Sequence, residues 1–282
     1  MDCSLALYEK AIPAGLGFEK MFQITADCGF DRFEISIDET DERLARLDLP
    51  DEEIIRIGHL SRQYGVPIRT MCLSGQRKYP MGSMDPAIRK RSMEILEKAV
   101  LFSEKAGISI IQLAGYDVYY EKGSDLTREY FMENLRRACA FAAAHGVLLA
   151  FETMETPFMD TVEKAMKVVD EVGSPWLGVY PDIGNLKNAA VLYGHDVVED
   201  MKKGRRHTFA VHLKETKPGI YRDMDFGTDG HTEYVRCIRE ALEQGVTMFT
   251  GEFWHQKGAD AETVIRKANV FLKEKIKEAA HA

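Results

Sequence analysis

Four residues of the kinds that hold cations stand at wide, regular intervals in the second half of the chain. Glu152 ends the apolar run VLLAFE; Asp182 in LGVYPD, His212 in FAVHLK and Glu252 in FTGEFW follow it by 30, 60 and 100 residues. Three carboxylates brought together would repel and raise one another's pKa unless a cation kept them ionised. One divalent ion does this, and three oxygen donors with one imidazole suit Mn²⁺, Mg²⁺, Co²⁺ or Zn²⁺. A lone acid at the end of an apolar run can instead cap the next helix or pair with a lysine. Four in succession call for more, because unpaired charges aimed into a core are costly. A second acid, Glu155, follows Glu152 by three positions in METPF. Pro157 restricts Thr156 to extended backbone, so Glu155 reads as a loop residue supporting the site, in preference to a direct ligand.

The elements that must position these side chains follow from periodicity. Short β-rich runs at 5–10, 33–36, 68–73, 110–115, 148–153, 177–182, 209–214 and 249–254 alternate with amphipathic segments. In the segment 86–107, Ile88, Met93, Ile95, Leu96, Val100 and Leu101 form a stripe near helical spacing, and Gly107 closes it. The segments beginning LTREY, DTVEK and HTEYV behave likewise and also end in Gly, and DAETV opens a long final helix. Eight strand-helix units imply an α/β fold, a single (β/α)8 TIM barrel forming one catalytic domain over residues 1–282. No GxGxxG follows the first strand, which disfavours an open doubly wound sheet. Chemistry in such a barrel sits at the C-terminal ends of the strands. Strand alternation puts Glu152 on the face of Ala150, His212 on that of Ala210 and Glu252 on that of Thr250. Phe151, Val211, Leu213, Phe249 and Phe253 then point outward, to the helices.

Composition narrows the function classes. A chain of 282 residues, 45% hydrophobic, can bury one substantial core. Five cysteines, an odd number without CxxC spacing and with no signal peptide before them, read as reduced thiols, and the expected location is the cytoplasm. No apolar run approaches the ~18 residues of a membrane span. A net charge of −8 argues against nucleic acid as a partner, while leaving room for a local cluster that holds a small anion.

The stretches ALYEKAIP, EISIDETDERLARLD, MCLSGQRKYPMGS, IIQLAGYDVYYE, ETMETPFMDTVEK, SPWLGVYPDIGNL and HLKET with YRDMDFGTDG carry a resemblance. Between about residue 4 and about residue 272 the chain resembles the L-ribulose-5-phosphate (L-xylulose-5-phosphate) 3-epimerases of the sugar-phosphate isomerase/epimerase, AP-endonuclease-like, barrel family. The resemblance implies metal ligands at Glu152, Asp182, His212 and Glu252, the residues that spacing had already singled out. It also implies that Glu152 and Glu252 are the catalytic acid and base, inverting carbon 3 of a ketopentose 5-phosphate through a cis-enediolate. The implied partners are a small sugar phosphate and a second copy of the chain, as a homodimer.

Further candidates have plausible structural alternatives. Arg222 resembles a family arginine that reaches substrate, and Lys214 shares the inward parity of His212. His255 follows Trp254 near the mouth. These three are the expected substrate-binding residues. Arg77, Lys78 and Lys257 could each hold a phosphate or be solvated charge, and His195, His207 and His231 read as surface histidines. No P-loop is present. An apurinic endonuclease would need extra histidines at early strand ends, where MCLSG and IIQLAG stand, and a non-catalytic sugar-binding barrel would tolerate loss of a ligand. The nearer alternative is a 3-epimerase or aldose-ketose isomerase acting on another ketose, phosphorylated or free.

Overall fold

In the computed structural model, which describes residues 3–281, the eight apolar runs become eight parallel strands. They are β1 Ser4–Tyr8, β2 Arg32–Ser36, β3 Ile68–Leu73, β4 Ile110–Ala114, β5 Leu148–Glu152, β6 Leu177–Tyr180, β7 Val211–Leu213 and β8 Met248–Gly251. Hydrogen-bonded neighbours run in the order β6-β5-β4-β3-β2-β1-β8-β7. The remaining seam, between β6 and β7, is made by the isolated parallel bridges Val179–Thr208 and Asp182–His212. Two of the expected metal ligands are thus paired across the closure of the barrel. Among the described residues ten α-helices follow one another: α1 Phe18–Asp27, α2 Asp41–Ala45, α3 Asp51–Gln63, α4 Pro86–Ala106, α5 Asp125–Ala144, α6 Val162–Val172, α7 Ile183–Tyr193, α8 Val197–Met201, α9 Tyr234–Glu243 and α10 Ala261–His281.

The predicted helix signals act as expected where they matter for register. Asp85 accepts from Ala87 N at 2.8 Å and caps α4, with Pro86 in the first turn and Gly107 closing it at φ 84°. α6 ends the same way on Gly173, at φ 66°.

Alternation along the strands separates two cores. Leu7, Ile35, Met71, Leu113, Phe151, Val179, Leu213 and Phe249 point outward and pack with the helices in one large apolar cluster. The inward positions hold a smaller apolar plug of Ile110, Ala150, Tyr180 and Ala210. Above and beside that plug the interior is polar, with Glu34, Thr70, Gln112, His212 and Thr250 all buried. The expected parity of Phe151, Val211, Leu213, Phe249 and Phe253 holds, since all five belong to the outer cluster.

Several strands are shorter than the apolar runs suggested. The run at 5–10 stops at Tyr8, because Glu9 turns inward in a short 3₁₀ segment, where its carboxylate accepts from Ser36 N at 2.8 Å and from Arg46 at 2.7 Å. The strand in 209–214 is confined to 211–213, and that in 249–254 ends at 251. Asp182, Lys214 and Glu252 therefore stand just past their strands, on the rim.

Candidate metal centre

The four expected ligands meet. Each of Glu152, Asp182, His212 and Glu252 is buried and offers one ligand atom, and these atoms lie within 4.8 Å of one another. His212 Nδ1 is 3.6 Å from Glu152 Oε1 and 3.3 Å from Glu252 Oε2. Asp182 serves two elements. Its Oδ1 accepts from Asn185 N at 2.7 Å and caps α7, while its NH donates to Thr153 Oγ1 at 3.0 Å. That helix cap and the metal role are compatible, because Oδ2 stays free for the cluster. Glu152 is steadied by Gln112, whose side-chain amide donates to its Oε2.

Three buried atoms at this point, Asp182 Oδ2, His212 Nδ1 and Glu252 Oε2, have no hydrogen-bond partner. Buried polar atoms left in this way are uncommon, and three converging on one spot fit a cation that would take all of them as ligands. The donor set of carboxylates and one imidazole fits a divalent ion. Lys214 Nζ lies 2.9 Å from Asp182 Oδ2 and 3.1 Å from Glu252 Oε2, an ion pair in each case but without hydrogen-bond alignment.

The charged groups of the cluster perturb one another strongly. Burial pushes the Asp182 carboxyl up to about 8, Lys214 opposing the shift and Glu252 adding to it. Burial also works against ionised Glu252, but Lys214 and His212 outweigh it and hold that group well below the usual carboxylate range. Burial disfavours the His212 imidazolium, yet Glu34 and Glu252 carry its pKa well above the ordinary histidine value.

A fifth residue, absent from the sequence reading, completes the centre. Glu34 on β2 accepts from His212 Nε2 at 2.7 Å, Thr70 Oγ1 at 2.6 Å, Tyr180 OH at 2.8 Å and Thr250 Oγ1 at 3.2 Å. Burial opposes its charge, but His212 and these hydroxyls keep its pKa low. With Nε2–H committed to Glu34, Nδ1 is the nitrogen turned to the cluster, where a cation would take the place of its proton. The signal was present in RFEIS, where Arg32, Glu34 and Ser36 alternate with Phe33 and Ile35; in a closed barrel the polar face of such a strand points inward.

Glu152 and Glu252 open onto a cleft lined also by Tyr8, Lys10, Ser74, Arg77, Glu155, Lys214, Tyr221, Arg222 and Trp254. Of the expected substrate residues, Lys214 and Arg222 line it, the Arg222 guanidinium 5.3 Å from the centre of the Trp254 ring. His255 does not. Its backbone NH donates to Lys10 O at 2.8 Å and its side chain faces a separate small cavity beside Asp225 and Ala259. Trp254 still lines the cleft, but one residue later, three beyond Glu252, the chain has turned away from the mouth. Glu155 lines the cleft outside the ligand cluster and accepts from Tyr119 OH at 3.0 Å. Arg77 lines the cleft, whereas Lys78 and Lys257 are not among its lining residues. His195, His207 and His231 lie outside the ligand cluster.

An eight-stranded parallel barrel with a buried carboxylate-histidine cluster at its C-terminal rim defines a class, the TIM barrels with a candidate metal site at the mouth. The chain belongs to the xylose isomerase-like TIM barrel family, whose model matches residues 22–275. It is 37% identical over 276 residues to an L-ribulose-5-phosphate 3-epimerase, UlaE, of Escherichia coli O139:H28, covering 98% of this chain and 95% of the relative. The same identity and coverage hold for the protein of that name in Shigella boydii serotype 18. Among solved structures, D-psicose 3-epimerase of Clostridium cellulolyticum H10 superposes with a TM-score of 0.80 at 15% identity, over 97% of this chain and 99% of that one. An L-ribulose 3-epimerase gives 0.78 at 15% identity, over 99% and 96%. At such identities these structures speak to the fold.

Proposed function

We propose that the chain is a metal-dependent carbohydrate 3-epimerase that interconverts L-ribulose 5-phosphate and L-xylulose 5-phosphate. Near-full-length similarity to L-ribulose-5-phosphate 3-epimerases supports the reaction. The observation that carries the metal dependence is the convergence of three unpartnered buried ligand atoms from Asp182, His212 and Glu252.

Glu152, Asp182, His212 and Glu252 would hold one divalent ion, which supplies Lewis-acid stabilisation of the charge that develops on the substrate oxygens. The proton at carbon 3 is acidified by the neighbouring carbonyl, and its inversion needs a base on one face and an acid on the other. Glu152 rises from β5 and Glu252 follows β8, with Asp182 just past β6 and His212 on β7 between them. A ketose seated over the cluster then meets one carboxylate from each side. One takes the carbon 3 proton and the other returns a proton to the opposite face, with the roles exchanged in the reverse direction. Gln112 orients Glu152 through its Oε2. Lys214, ion-paired to Glu252, offers a donor to substrate oxygens, and Arg222 lines the mouth over Trp254.

Metal-loaded protein is expected to exchange the carbon 3 proton of L-ribulose 5-phosphate with solvent deuterium. Lack of exchange with Mn²⁺, Mg²⁺, Co²⁺ and Zn²⁺ alike would remove the epimerase assignment. We further take the barrel to act as one catalytic domain in the cytoplasm and as a homodimer. Support for the compartment comes from the buried free thiols Cys28, Cys72, Cys139 and Cys237. Support for pairing comes from the exposed apolar row Val191, Leu192 and Tyr193 on α7; sedimentation would test it. Among the described residues no helix is long and apolar enough to cross a membrane.

A further inference from the structure

The cleft has two chemically different sides. All four cluster ligands come from β5 to β8, whereas the turn Ser74–Arg77 that follows β3 brings Ser74 and Arg77 to the other side. Arg77 is half-buried there, its guanidinium 4.8 Å from the centre of the Tyr119 ring, and its buried Nε has no hydrogen-bond partner. It forms no ion pair among the described residues. Glu155, the carboxylate nearest in character to a partner, is already engaged by Tyr119 OH at 3.0 Å. Both lysines of the rim are committed elsewhere, Lys10 Nζ lying 2.8 Å from Asp38 Oδ2 and Lys214 between Asp182 and Glu252, while Arg222, in the segment after β7, lies over the Trp254 ring. Lys78 lies over the ring of Tyr79, away from the cleft.

A guanidinium with an unused Nε donor, packed over an aromatic ring and partly shielded from water, suits a phosphate, to which it can offer two parallel N–H bonds. We propose that Arg77, with the Ser74 hydroxyl beside it, is the phosphate anchor of the cleft and sets its preference for a phosphorylated over a free ketose. This rests on the epimerase reading above, in that the carbonyl end of the ketose faces the four-ligand cluster and its far end reaches the β3 side. A free ketose leaves the Arg77 donors unmet in a half-buried site, so it is disfavoured as well as less attracted.

The test compares wild type, Arg77→Ala, Arg77→Lys and Lys78→Ala as metal-loaded proteins. The reading is the ratio of kcat/KM for L-ribulose 5-phosphate to that for L-ribulose, together with inhibition by inorganic phosphate. Arg77→Ala is expected to lower the ratio roughly 10- to 100-fold and to weaken phosphate inhibition by a similar factor, as loss of a charged hydrogen-bond pair does. Arg77→Lys falls between, because it keeps the charge and loses the fork, and it serves alone if Arg77→Ala does not fold. Lys78→Ala keeps the wild-type ratio. An unchanged ratio in both Arg77 variants, or an equal fall in Lys78→Ala, overturns the assignment. Should wild type turn over neither ketose, the epimerase reading fails by itself. Calorimetric titration with inorganic phosphate then decides the anchor: weaker binding in the Arg77 variants supports it, and equal binding overturns it.

Discussion

Glu34 Oε1 lies 2.7 Å from His212 Nε2, on the side of the imidazole away from the ligand cluster. The pair is fully buried, and three hydroxyls complete the carboxylate's hydrogen bonds. Glu34 is a positioning residue, fixing the tautomer and ring orientation that present Nδ1 to the metal. Glu34→Gln keeps the shape but can offer an NH₂ to Nε2, which favours the wrong tautomer. Metal affinity is expected to fall roughly 10- to 100-fold, read by competition with a chromogenic chelator. A cobalt-loaded variant should also show an altered visible spectrum; an unchanged affinity and spectrum would dismiss the role.

Glu152→Gln and Glu252→Gln each remove a proton acceptor while nearly preserving volume. Each is expected to lower kcat for epimerisation by roughly 10²- to 10⁴-fold. At saturating metal, deuterium incorporation at carbon 3 should fail from one epimer more than from the other, in opposite senses for the two variants. Full turnover in either variant would exclude that residue as acid or base.

Metal stabilisation should grow with pH. In the protein without metal, burial raises Asp182 from an unfolded value of 3.8 to about 8, and His212 is raised well above 6.5. The folded state therefore binds more protons than the unfolded state between roughly pH 4 and 8, and stability falls as pH rises through that window. Glu252 is lowered and works the other way, but its window lies below 4.5 and is passed by pH 5. A bound divalent ion takes the place of those protons, so it relieves a penalty that is larger at pH 8 than at pH 6. The rise in Tm on adding metal is expected to be greater at pH 8 than at pH 6, by differential scanning fluorimetry. An equal rise at both would contradict these shifts.

Much of this site was legible in the sequence because strand periodicity is rigid. Once eight short runs alternate with helices, the parity of Ala150, Ala210 and Thr250 dictates where Glu152, His212 and Glu252 point. Glu34 escaped because alternation of polar and apolar residues in RFEIS does not say which face is wet; in an isolated strand the polar face would meet solvent. Only closure of the barrel, with the outer face claimed by Phe33 and Ile35 against helices, turns Arg32 and Glu34 inward. His255 illustrates the converse limit, since proximity in sequence to Glu252 carries no directional information once the strand has ended at Gly251. Gln112 could have been found by the same parity as Ala150, its register partner.

The end of β5 is held in place from the side by an absence of atoms. Ala114 is the register partner of Glu152, and the next residue is Gly115. A Cβ at Gly115 would sit 2.5 Å from the Glu152 carbonyl oxygen and 2.9 Å from Met159 Sδ. Met159 can shift its sulfur, but a backbone oxygen at the end of a paired strand moves only with the strand, and that strand carries the Glu152 side chain into the cluster. Gly115→Ala is therefore expected to cost about 1–3 kcal/mol of stability and also to weaken metal binding. Gly65→Ala makes the contrast. Its φ of +73° is unfavourable for alanine, yet nothing lies within 4 Å of the new Cβ, so it should destabilise by about 1 kcal/mol and leave metal affinity as in wild type. Urea unfolding with chelator competition on both variants separates the two effects. Equal metal affinity in Gly115→Ala and Gly65→Ala would mean that the rim accommodates the displaced strand end without moving Glu152.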